Sequence, residues 1–406
     1  MSELALFGGK PVRKKPFPVW PRVTAGQKEQ LLNTLESDSL GIGSDAIKAF
    51  EDQFAEFHDA KYCIATSSGT NALWVALKAG GVSAGDEVII PPYTFIATAS
   101  AVLMANAVPI FVDIDPETFN MDPLLIEKAI TERTKVIMPV HIAGNPADMD
   151  RINDIAKKYN ITVIEDAAQA HGAEWGGVKV GALATGGIFS FQSSKNMTSG
   201  EGGAIISNDD KFMDTCFAYY NCGRQRGKEW YEHQIVGGNH RINAMAASLL
   251  LPQLQSVEDD MTIRDKNRKK LDRALNSEGL VTIGSYEKAT RVANHLYLLK
   301  YKADHFNEVP REKFFDAMRA EGVNTYAGYK PLYREKVFDS HDDDFPWLTD
   351  IDYGATSCAV TELIADYQSV WLTQNHLLGN DLDTRDIIDA FEKVTTALKQ
   401  KPELFK

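Results

Sequence analysis

The sequence predicts an α/β protein in which a doubly wound, mostly parallel mixed sheet flanked by helices is followed by a smaller α+β domain. Between residues 62 and 165, short β-rich segments alternate regularly with helical segments, as in strand–helix–strand units. The chain has 406 residues, more than the about 250–300 at which a single core stops growing, so two lobes are expected. A charged helical run over 258–270 separates the two patterns. We therefore expect an N-terminal arm over 1–23, a large domain over 24–255 and a small domain over 256–406.

The N-terminal elements follow from composition, caps and apolar spacing. The arm is rich in proline and basic residues, which predicts an extended segment. Thr24 and Gln27 form the pattern of a capping box, which predicts a helix immediately after it. Two glycines then interrupt the chain. Apolar residues recur at helical spacing over 46–58, so a second helix is expected to pack one face on a core.

The remaining elements are predicted from periodicity and from turn residues. Strands are expected over 62–65, 87–90, 108–113, 136–140 and 161–165, with helices over 71–79, 96–105, 123–129 and 147–159. Strands over 188–191 and 204–206 enclose a polar turn, and a helix over 212–220 precedes a long polar loop over 221–243. A long helix is expected over 244–261 and continues through 270. It is followed by a strand over 292–301, a helix over 310–321 with Pro310 at its first position, and helices near 353–365 and 384–398.

Composition excludes several function classes. The balance of 43 basic and 56 acidic residues gives a net charge of -13, which disfavours a nucleic-acid backbone or an anionic membrane as partner. The four cysteines form no CxxC pair and fit reduced, mostly buried thiols. No apolar run reaches about 18 residues, and the N-terminus lacks the apolar region of a signal peptide. We expect a cytoplasmic protein. The acidic stretch 342–344 lacks the spacing of a calcium loop and is expected at the surface, so the sequence indicates no metal site.

A single lysine stands at the apex of a turn built of small residues. In the stretch GGIFSFQSSKNMTSGEGGAIIS (186–207), two apolar segments flank a serine- and glycine-rich turn that contains Lys195. Such a turn leaves room for a planar ligand. A lysine amine condenses with an aldehyde to a Schiff base when desolvation or a neighbouring cation lowers its pKa from about 10.4. Lys195 is the candidate catalytic residue, and the alternative is an exposed loop lysine.

A strand–turn–helix unit offers a candidate phosphate site. The turn TSSGT (66–70) lies between the first strand of the alternation and its helix. The first N–H groups of a helix lack internal partners and carry the positive end of the dipole, so they attract a phosphate. The hydroxyls of Ser68 and Thr70 would support it. Alternatively, these hydroxyls only cap the helix.

Polar residues follow the carboxyl ends of the predicted strands, where ligands bind in doubly wound sheets. They are Ser68–Thr70, Tyr93–Phe95, His141 and Asp166. Asp166 comes directly after the apolar strand ITVIE, so its carboxylate is expected to be partly buried and to need a cationic partner. A protonated pyridine nitrogen would supply one. The alternative is a structural aspartate that caps the next turn.

Taken in order, six stretches of the chain resemble the DegT/StrS family of fold-type-I, PLP-dependent sugar aminotransferases. They are SSGTNAL, PPYTFIATA, VHIAGNPADMD, EDAAQAHGA, FSFQSSKNMTSGEGGAI and GGNHRINAMAAS. The resemblance covers nearly the whole length, and the ordered set is more specific than any one stretch. It implies a fold-type-I transferase, pyridoxal 5'-phosphate (PLP) as cofactor, and a small-molecule amino donor and keto acceptor as substrates.

The resemblance also implies roles for individual residues. Lys195 corresponds to the lysine of the internal aldimine, and Asp166 to the partner of the pyridine nitrogen. The other implied cofactor residues are Gly69, Thr70 and Ser190 around the phosphate beside Ser68, Phe95 as the stacked ring, and Gln169 near the phenolic oxygen. Asn239–Arg241 corresponds to a segment that reaches the phosphate of the neighbouring subunit. A homodimer with shared active sites is therefore implied, and the contact residue, Asn239 or Arg241, stays open.

Lysine at position 195 favours transamination, since dehydratases of the family carry histidine there. A PLP-binding regulator without turnover is an alternative that would not need Lys195. Another fold-type-I chemistry, such as a lyase or a cysteine desulfurase, is a further alternative. A desulfurase needs a mobile nucleophilic cysteine, which none of the four cysteines clearly provides.

The substrate prediction rests on three stretches near Cys222, Tyr329 and Val370. They are most similar to the branch of the family that contains L-glutamine:scyllo-inosose aminotransferases and 3-amino-5-hydroxybenzoate synthase. This similarity favours a keto-cyclitol or keto-sugar as acceptor, glutamine or glutamate as donor, and a role in amino-sugar or aminocyclitol antibiotic biosynthesis. A nucleotide-linked keto-sugar and an aminodehydratase reaction like that of 3-amino-5-hydroxybenzoate synthase are the alternatives.

Four residues of the small domain are candidates for substrate binding. Tyr329, Gln374 and Asn375, with Trp371, offer hydrogen bonds and a flat apolar face to a polyhydroxylated ring. Alternatively, Trp371 and Leu372 belong to the core and the two amides cap the following turn. A diphosphate-linked sugar would instead be expected to meet arginines 224, 226 and 241.

Overall fold

The computed structural model describes residues 3–339, 346–348 and 351–405, so the acidic stretch 342–344 lies outside the described residues. The α-helices are α1 (Ala25–Glu36), α2 (Asp45–Phe57), α3 (Gly69–Ala79), α4 (Ala97–Met104), α5 (Pro123–Ala129), α6 (Met149–Tyr159), α7 (Asp210–Tyr220), α8 (Ala244–Leu254), α9 (Val257–Leu275), α10 (Arg311–Ala320), α11 (Ala359–Leu363) and α12 (Asp381–Gln400). The strands are β1 (Tyr62–Thr66), β2 (Glu87–Ile90), β3 (Val108–Phe111), β4 (Thr134–Ile137), β5 (Thr162–Asp166), β6 (Glu174–Trp175), β7 (Val178–Lys179), β8 (Gly186–Ser190), β9 (Gly203–Ser207), β10 (Leu280–Thr282), β11 (Leu296–Tyr301) and β12 (Ser369–Thr373).

The large sheet has seven strands in the order β1-β9-β8-β5-β4-β2-β3. Strand β9 pairs antiparallel with both β1 and β8, and the other neighbours pair parallel, so β9 alone runs against the rest. The predicted mostly parallel mixed sheet is confirmed. The strand ends that carry the candidate residues therefore meet at one edge of this sheet.

Helices cover both faces of the large sheet because successive side chains of each buried strand point to opposite faces. Ile188 of β8 packs in the cluster that contains α3, α4 and α7, and the next residue, Phe189, packs in the cluster that contains α2, α6 and α8. At the start of α1 the capping box is present, since Thr24 Oγ1 accepts from the N–H of Gln27 and Gln27 Oε1 accepts from the N–H of Thr24.

A second, three-stranded antiparallel sheet, β10-β11-β12, packs against α10 and α12 around its own hydrophobic cluster. The N-terminal arm lies along this part of the molecule. Leu4 and Phe7 join its cluster, and Arg13 forms ion pairs with Asp383 and Asp386 of α12 at 2.7 Å each. The smaller α+β unit is thus present, and the arm is held in place along it.

Several predicted boundaries are wrong. The long helix predicted over 244–261 is two helices, α8 and α9, which meet at residues 255–256. Pro252 lies in the last turns of α8, where its missing N–H and its ring disfavour continuation of a straight helix. Pro310 is the N-cap of α10 and not its first residue. In place of the helix predicted near 353–365 there are a 3-10 helix at Tyr353–Ala355, the five-residue α11 and a π-helix at Ile364–Gln368.

Candidate active site

A cavity of about 700 Å³ lies between the carboxyl edge of the large sheet and the three-stranded sheet. The turns after β1 and β2 and the ends of β5 and β8 form one wall, and Leu296, Tyr329 and Trp371 belong to the other. Eleven of the predicted site residues line this cavity: Ser68, Gly69, Thr70, Phe95, Asp166, Gln169, Ser190, Lys195, Tyr329, Trp371 and Gln374. The structure therefore brings together residues that are separated by up to about 300 positions in the chain.

The N-terminus of α3 opens directly into the cavity. Ser68 caps the helix by accepting a hydrogen bond from the N–H of Asn71 at 3.1 Å, and its backbone is extended. The helix can come this close to β8 because Gly69 has no side chain, since a Cβ there would lie 2.7 Å from the Cβ of Ser190. The free N–H groups of the first turn and the hydroxyls of Thr70 and Ser190 thus share one corner, which is suited to an anion.

Asp166 ends β5 and presents a buried carboxylate to the cavity. One oxygen accepts from Thr98 Oγ1 at 2.9 Å and the other from the N–H of Ala168 at 3.2 Å. Within the described residues Asp166 forms no ion pair, and it is 4% exposed. Burial raises the pKa of this carboxyl, while Thr98 and the N–H of Ala168 oppose the rise. An ionised Asp166 therefore favours a cationic ligand in the cavity.

The preceding residue, Glu165, is also a buried carboxylate, but it points to the opposite face of the sheet. It accepts hydrogen bonds from the N–H groups of residues 181, 183 and 184 and contacts His141 Nε2 at 3.0 Å. The other ring nitrogen of His141 accepts from the N–H of Ala147. Because all these partners are internal, the structure gives Glu165 and His141 a structural role, and His141 does not line the cavity.

Lys195 lies on the turn between β8 and β9 and faces the cavity. Its burial lowers the pKa of the amine from 10.5 to about 8, and the charge of Asp166 acts in the opposite direction. His295 also lines the cavity, and burial with the nearby Lys195 lowers the pKa of its imidazole well below 6.5. The site thus combines a lysine whose amine can lose its proton near neutral pH, a neutral imidazole and a buried carboxylate.

The aromatic part of the wall comes from both lobes. The ring of Phe95 is 55% exposed at the cavity, which leaves an apolar face for a planar ligand. Tyr329 packs edge-on against Trp371 with ring centroids 4.6 Å apart, and Trp371 Nε1 donates to the hydroxyl of Tyr93 at 3.1 Å. Gln169 bridges the lobes, because its Oε1 accepts from the N–H of Ala143 and its Nε2 donates to the hydroxyl of Tyr329 at 3.1 Å.

The predicted substrate amides have internal partners. Gln374 lines the cavity, but its Oε1 accepts from Arg264 and its Nε2 donates to the carbonyl oxygen of Ser194 at 3.3 Å. Asn375 does not line the cavity, and its Nδ2 donates to the carbonyl oxygen of Pro18 at 3.1 Å. Trp371 lines the cavity while Leu372 is fully buried in the core. Among the described residues, none of the hydrogen bonds of the two amides caps the following turn, and substrate binding by Tyr329, Trp371 and Gln374 stays a prediction.

The loop over 221–243 runs beside the turn 66–70 without reaching the cavity of its own chain. The N–H of Ser67 donates to the carbonyl oxygen of His240 at 2.8 Å, while neither Asn239 nor Arg241 lines the cavity. Arg241 donates to Asn221 Oδ1 at 2.9 Å. The other two arginines lie farther out, with Arg224 over the ring of Trp230 and Arg226 near Asp214.

Sequence reasoning missed Thr98 and His295. Thr98 lies at the start of α4, one turn after the PPYT segment. Because residues at the start of that helix face the same sheet edge as the other candidates, Thr98 could have been predicted as a site residue. His295 lies next to β11, and no local pattern connects it with Lys195.

The fold and the site bring a lysine, a buried carboxylate and a helix N-terminus together on one cavity. The chain belongs to the DegT/DnrJ/EryC1/StrS aminotransferase family, whose model matches residues 21–366. It is 38% identical over 408 residues to a protein of Streptoalloteichus tenebrarius that is provisionally named L-glutamine:3-amino-2,3-dideoxy-scyllo-inosose aminotransferase, with 97% of this chain and 98% of the relative covered. It is 36% identical over 418 residues to the L-glutamine:2-deoxy-scyllo-inosose aminotransferase of Streptomyces lividus, with 97% of each covered.

Solved structures confirm the fold-type-I architecture. The crystal structure of 3-amino-5-hydroxybenzoic acid synthase is similar with a TM-score of 0.84 and 32% identity, covering 95% of this chain and all of that one. Bacillus subtilis NtdA with bound PMP has a TM-score of 0.81 and 26% identity, covering 95% of this chain and 87% of that one. The chain is thus an aminotransferase of a PLP-dependent family, as predicted. No helix in the described ranges is long and apolar enough to cross a membrane.

Proposed function

We propose that this chain binds PLP in the 700 Å³ cavity and uses it to transfer an amino group from glutamine or glutamate to a keto-cyclitol or keto-sugar. The observation that carries this proposal is the placement of three groups on one cavity: the buried carboxylate of Asp166, the amine of Lys195 and the N-terminus of α3. These groups match the pyridinium nitrogen, the aldehyde and the phosphate of PLP respectively.

The cofactor fits the residues that are present. Asp166 needs a cation that no described residue supplies as an ion pair, and the anion site at α3 lies on the same wall. Ser68, Gly69, Thr70 and Ser190 would hold the phosphate, and the exposed ring of Phe95 would cover one face of the pyridine. When bound, PLP supplies a carbonyl that condenses with amines and a ring that accepts electrons from the substrate carbon.

The residues of the chain supply the proton transfers and the orientation. Asp166 would hold a proton on a neighbouring ring nitrogen, and the hydrogen bonds from Thr98 and the N–H of Ala168 favour the ionised carboxylate and fix its position. Lys195, with a pKa of about 8, has enough free amine near neutral pH to accept a proton from a substrate carbon and return it.

Labelling tests the assignment of Lys195. Reduction of the PLP-loaded enzyme with borohydride, followed by peptide mapping, should place the pyridoxyl group on Lys195. The reduced Lys195→Ala variant should carry no stoichiometric label. A label on another lysine of the wild-type enzyme contradicts the proposal.

The wall of the cavity favours an uncharged, polyhydroxylated acceptor. Among the described lining residues Lys195 is the only lysine or arginine, and Asp166 and Glu201 add negative charge. Arg224, Arg226 and Arg241 lie outside the lining, so apart from Lys195 the described lining of one chain offers no lysine or arginine to a diphosphate. Flat apolar faces at Tyr329 and Trp371 suit a sugar or cyclitol ring. The glutamine:scyllo-inosose specificity in the names of the relatives supports the same class.

An acceptor comparison tests this choice. L-Glutamine-dependent amination of scyllo-inosose and 2-deoxy-scyllo-inosose is measured beside a nucleotide-linked 3-keto or 4-keto sugar under matched conditions. The free keto-cyclitols should be preferred by kcat/KM. Preference for the nucleotide-linked sugar would overturn the acceptor class and leave the aminotransferase assignment intact, and formation of an aromatic product would favour the aminodehydratase alternative suggested by the similarity to 3-amino-5-hydroxybenzoic acid synthase.

We further propose a homodimer in which the loop over 221–243 of one subunit completes the phosphate site of the other. The loop carries the exposed side chains of Trp230, Tyr231 and Val236, which suit burial against a second copy. Mixing Lys195→Ala subunits with subunits that carry Asn239→Ala and Arg241→Ala should restore part of the activity, because hybrid dimers contain one intact site. Verified subunit exchange without recovery contradicts shared sites.

A further inference from the structure

Two side chains donate hydrogen bonds to backbone carbonyl groups of the turn that carries Lys195. The indole Nε1–H of Trp20 donates to the carbonyl oxygen of Lys195 at 3.0 Å, and Nε2 of Gln374 donates to the carbonyl oxygen of Ser194 at 3.3 Å. The two donors stand 175 and 180 positions away in the chain. The backbone of the turn is therefore fixed by tertiary contacts from the N-terminal arm and from the segment after β12.

A buried arginine couples these two donors. Arg264 of α9 is fully buried, and its Nε donates to Gln374 Oε1 at 3.0 Å. Since a guanidinium only donates, Oε1 must face Arg264 and the amide nitrogen of Gln374 must face Ser194. The guanidinium carbon of Arg264 also lies 5.5 Å from the centroid of the Trp20 ring. Arg264 thus orients both side chains that hold the turn.

The arm is attached on both sides of Trp20. Before it, the carbonyl oxygen of Pro18 accepts from Asn375 Nδ2 at 3.1 Å, and after it, Arg22 forms an ion pair with Asp260 of α9. Trp20 is therefore held in one position relative to α9 and the end of β12. The second of the predicted substrate amides, Asn375, has its contact in this attachment and not in the cavity.

We propose that Trp20 and Gln374 are positioning residues for Lys195 and that the N-terminal arm is part of the active site. This inference rests on the proposed catalytic role of Lys195. A lysine amine stands at the end of a flexible four-carbon stem, so its reach toward Asp166 and the cofactor depends on where the backbone is fixed. A displacement of about 1 Å at a catalytic group costs on the order of a hundredfold in rate.

The substitution Trp20→Phe tests the inference. Phenylalanine keeps an aromatic ring beside Arg264 but lacks the pyrrole ring of the indole and, with it, the N–H that holds Lys195. The matched control is Trp175→Phe, which also removes an indole hydrogen bond, to Asp150 Oδ1 at 2.9 Å, but lies away from the cavity. We expect kcat of Trp20→Phe to fall by about tenfold to a hundredfold, with the KM for the acceptor nearly unchanged, and the control to match the wild type.

Two further measurements separate positioning from a loss of folding. First, the pH midpoint for PLP capture by the cofactor-free enzyme should move upward in Trp20→Phe, because a looser turn lets water reach the amine. Second, Gln374→Glu keeps the acceptor for Arg264 and replaces the donor to Ser194 with an oxygen, so it should lower kcat in the same way and not additively with Trp20→Phe.

The outcomes distinguish this inference from the proposed function. If borohydride labels a residue other than Lys195 in the wild-type enzyme, the proposed function and this inference both fail. If Lys195 is labelled, but both variants keep the kcat and the pH midpoint of the Trp175→Phe control, the positioning role alone is overturned. Reduced kcat with a shifted midpoint in the folded variants supports it.

Discussion

Replacing Asp166 by asparagine removes one charge and leaves the shape of the site intact. The N–H of Ala168 only donates, so the amide oxygen of the new side chain must face it and the amide nitrogen must face Thr98. Thr98 Oγ1 also lies 3.1 Å from Thr94 Oγ1, so its hydroxyl can donate to Thr94 and accept from the asparagine. The N–H of Ala168, the hydroxyl of Thr98, and the oxygen and one amide hydrogen of the asparagine therefore have partners.

We therefore expect Asp166→Asn to keep or raise the stability of the cofactor-free protein and to lower kcat. Burial raises the pKa of Asp166 above 3.8, so its ionised form destabilises the cofactor-free fold above that pH, and the neutral asparagine removes this cost. The catalytic site loses the negative charge of Asp166, which would stabilise the charge that develops during the reaction in a water-poor cavity. Comparable deletions cost about 2.7–4 kcal/mol, or roughly 100-fold to 1,000-fold in kcat. Thr98→Val removes a hydrogen bond and keeps the charge, and should cost only about tenfold.

The assay measures kcat at saturating PLP, glutamine and acceptor, together with the melting temperature of the cofactor-free proteins at pH 7. Asp166→Asn should melt at or above the temperature of the wild type and lose at least about a hundredfold in kcat. If Asp166→Asn keeps kcat within about threefold of the wild type, the charge does not have the catalytic role given to it. A large fall in melting temperature would show that the asparagine does not keep the hydrogen bonds to Ala168 and Thr98.

Further expected results concern the amine and the phosphate corner. Because the pKa of Lys195 is lowered to about 8, the rate at which cofactor-free enzyme captures PLP should rise with pH up to about 8 and then level off, as followed by absorbance; a rise that continues toward 10.5 contradicts the lowered pKa. Relative to Lys195→Met, the cofactor-free wild type should gain stability as pH rises from about 8 to 10.5, since the unfolded amine binds more protons in that range. Gly69→Ala should weaken PLP binding by roughly tenfold in a fluorescence titration, because the new Cβ would meet Ser190 at 2.7 Å and separate α3 from β8. Its control, Gly26→Ala in α1, has its nearest contact at 3.6 Å and should leave PLP affinity unchanged; equal affinities for the two variants would contradict the close approach at Gly69.

Local patterns were sufficient for most of the large domain. Its buried strands are continuous apolar runs, and its caps and glycines mark the helix ends, so β1 through β5 and α3 through α6 were predicted within a few residues. The small domain was harder to predict. Strand β10 has only three residues, and β12 is defined by pairing with β11, which is about 70 positions away in the chain. Such pairing is a tertiary property that a short apolar run does not reveal.

The candidate site was predictable where residues lie at strand ends and unpredictable where partners come from elsewhere. The sheet edge brings Ser68, Asp166 and Lys195 together, because parallel strands end on one side. The amides of Gln374 and Asn375 looked like substrate ligands because the type of side chain is visible in the sequence and its partners are not. Their partners, Arg264 and Pro18, lie 110 and 357 positions away.

The adjacent acids at the end of β5 show why geometry is needed to assign a function to a residue type. Glu165 and Asp166 are both carboxylates and both almost fully buried. The alternation of the strand sends them to opposite faces of the sheet. Glu165 meets three backbone N–H groups and the ring of His141, so its charge is balanced inside the protein. Asp166 meets one hydroxyl and one N–H at the edge of a cavity that also contains Lys195. A buried carboxylate with few internal partners and an open face is favoured in its ionised form by a cationic ligand, so of the two acids Asp166 is the better candidate for ligand binding.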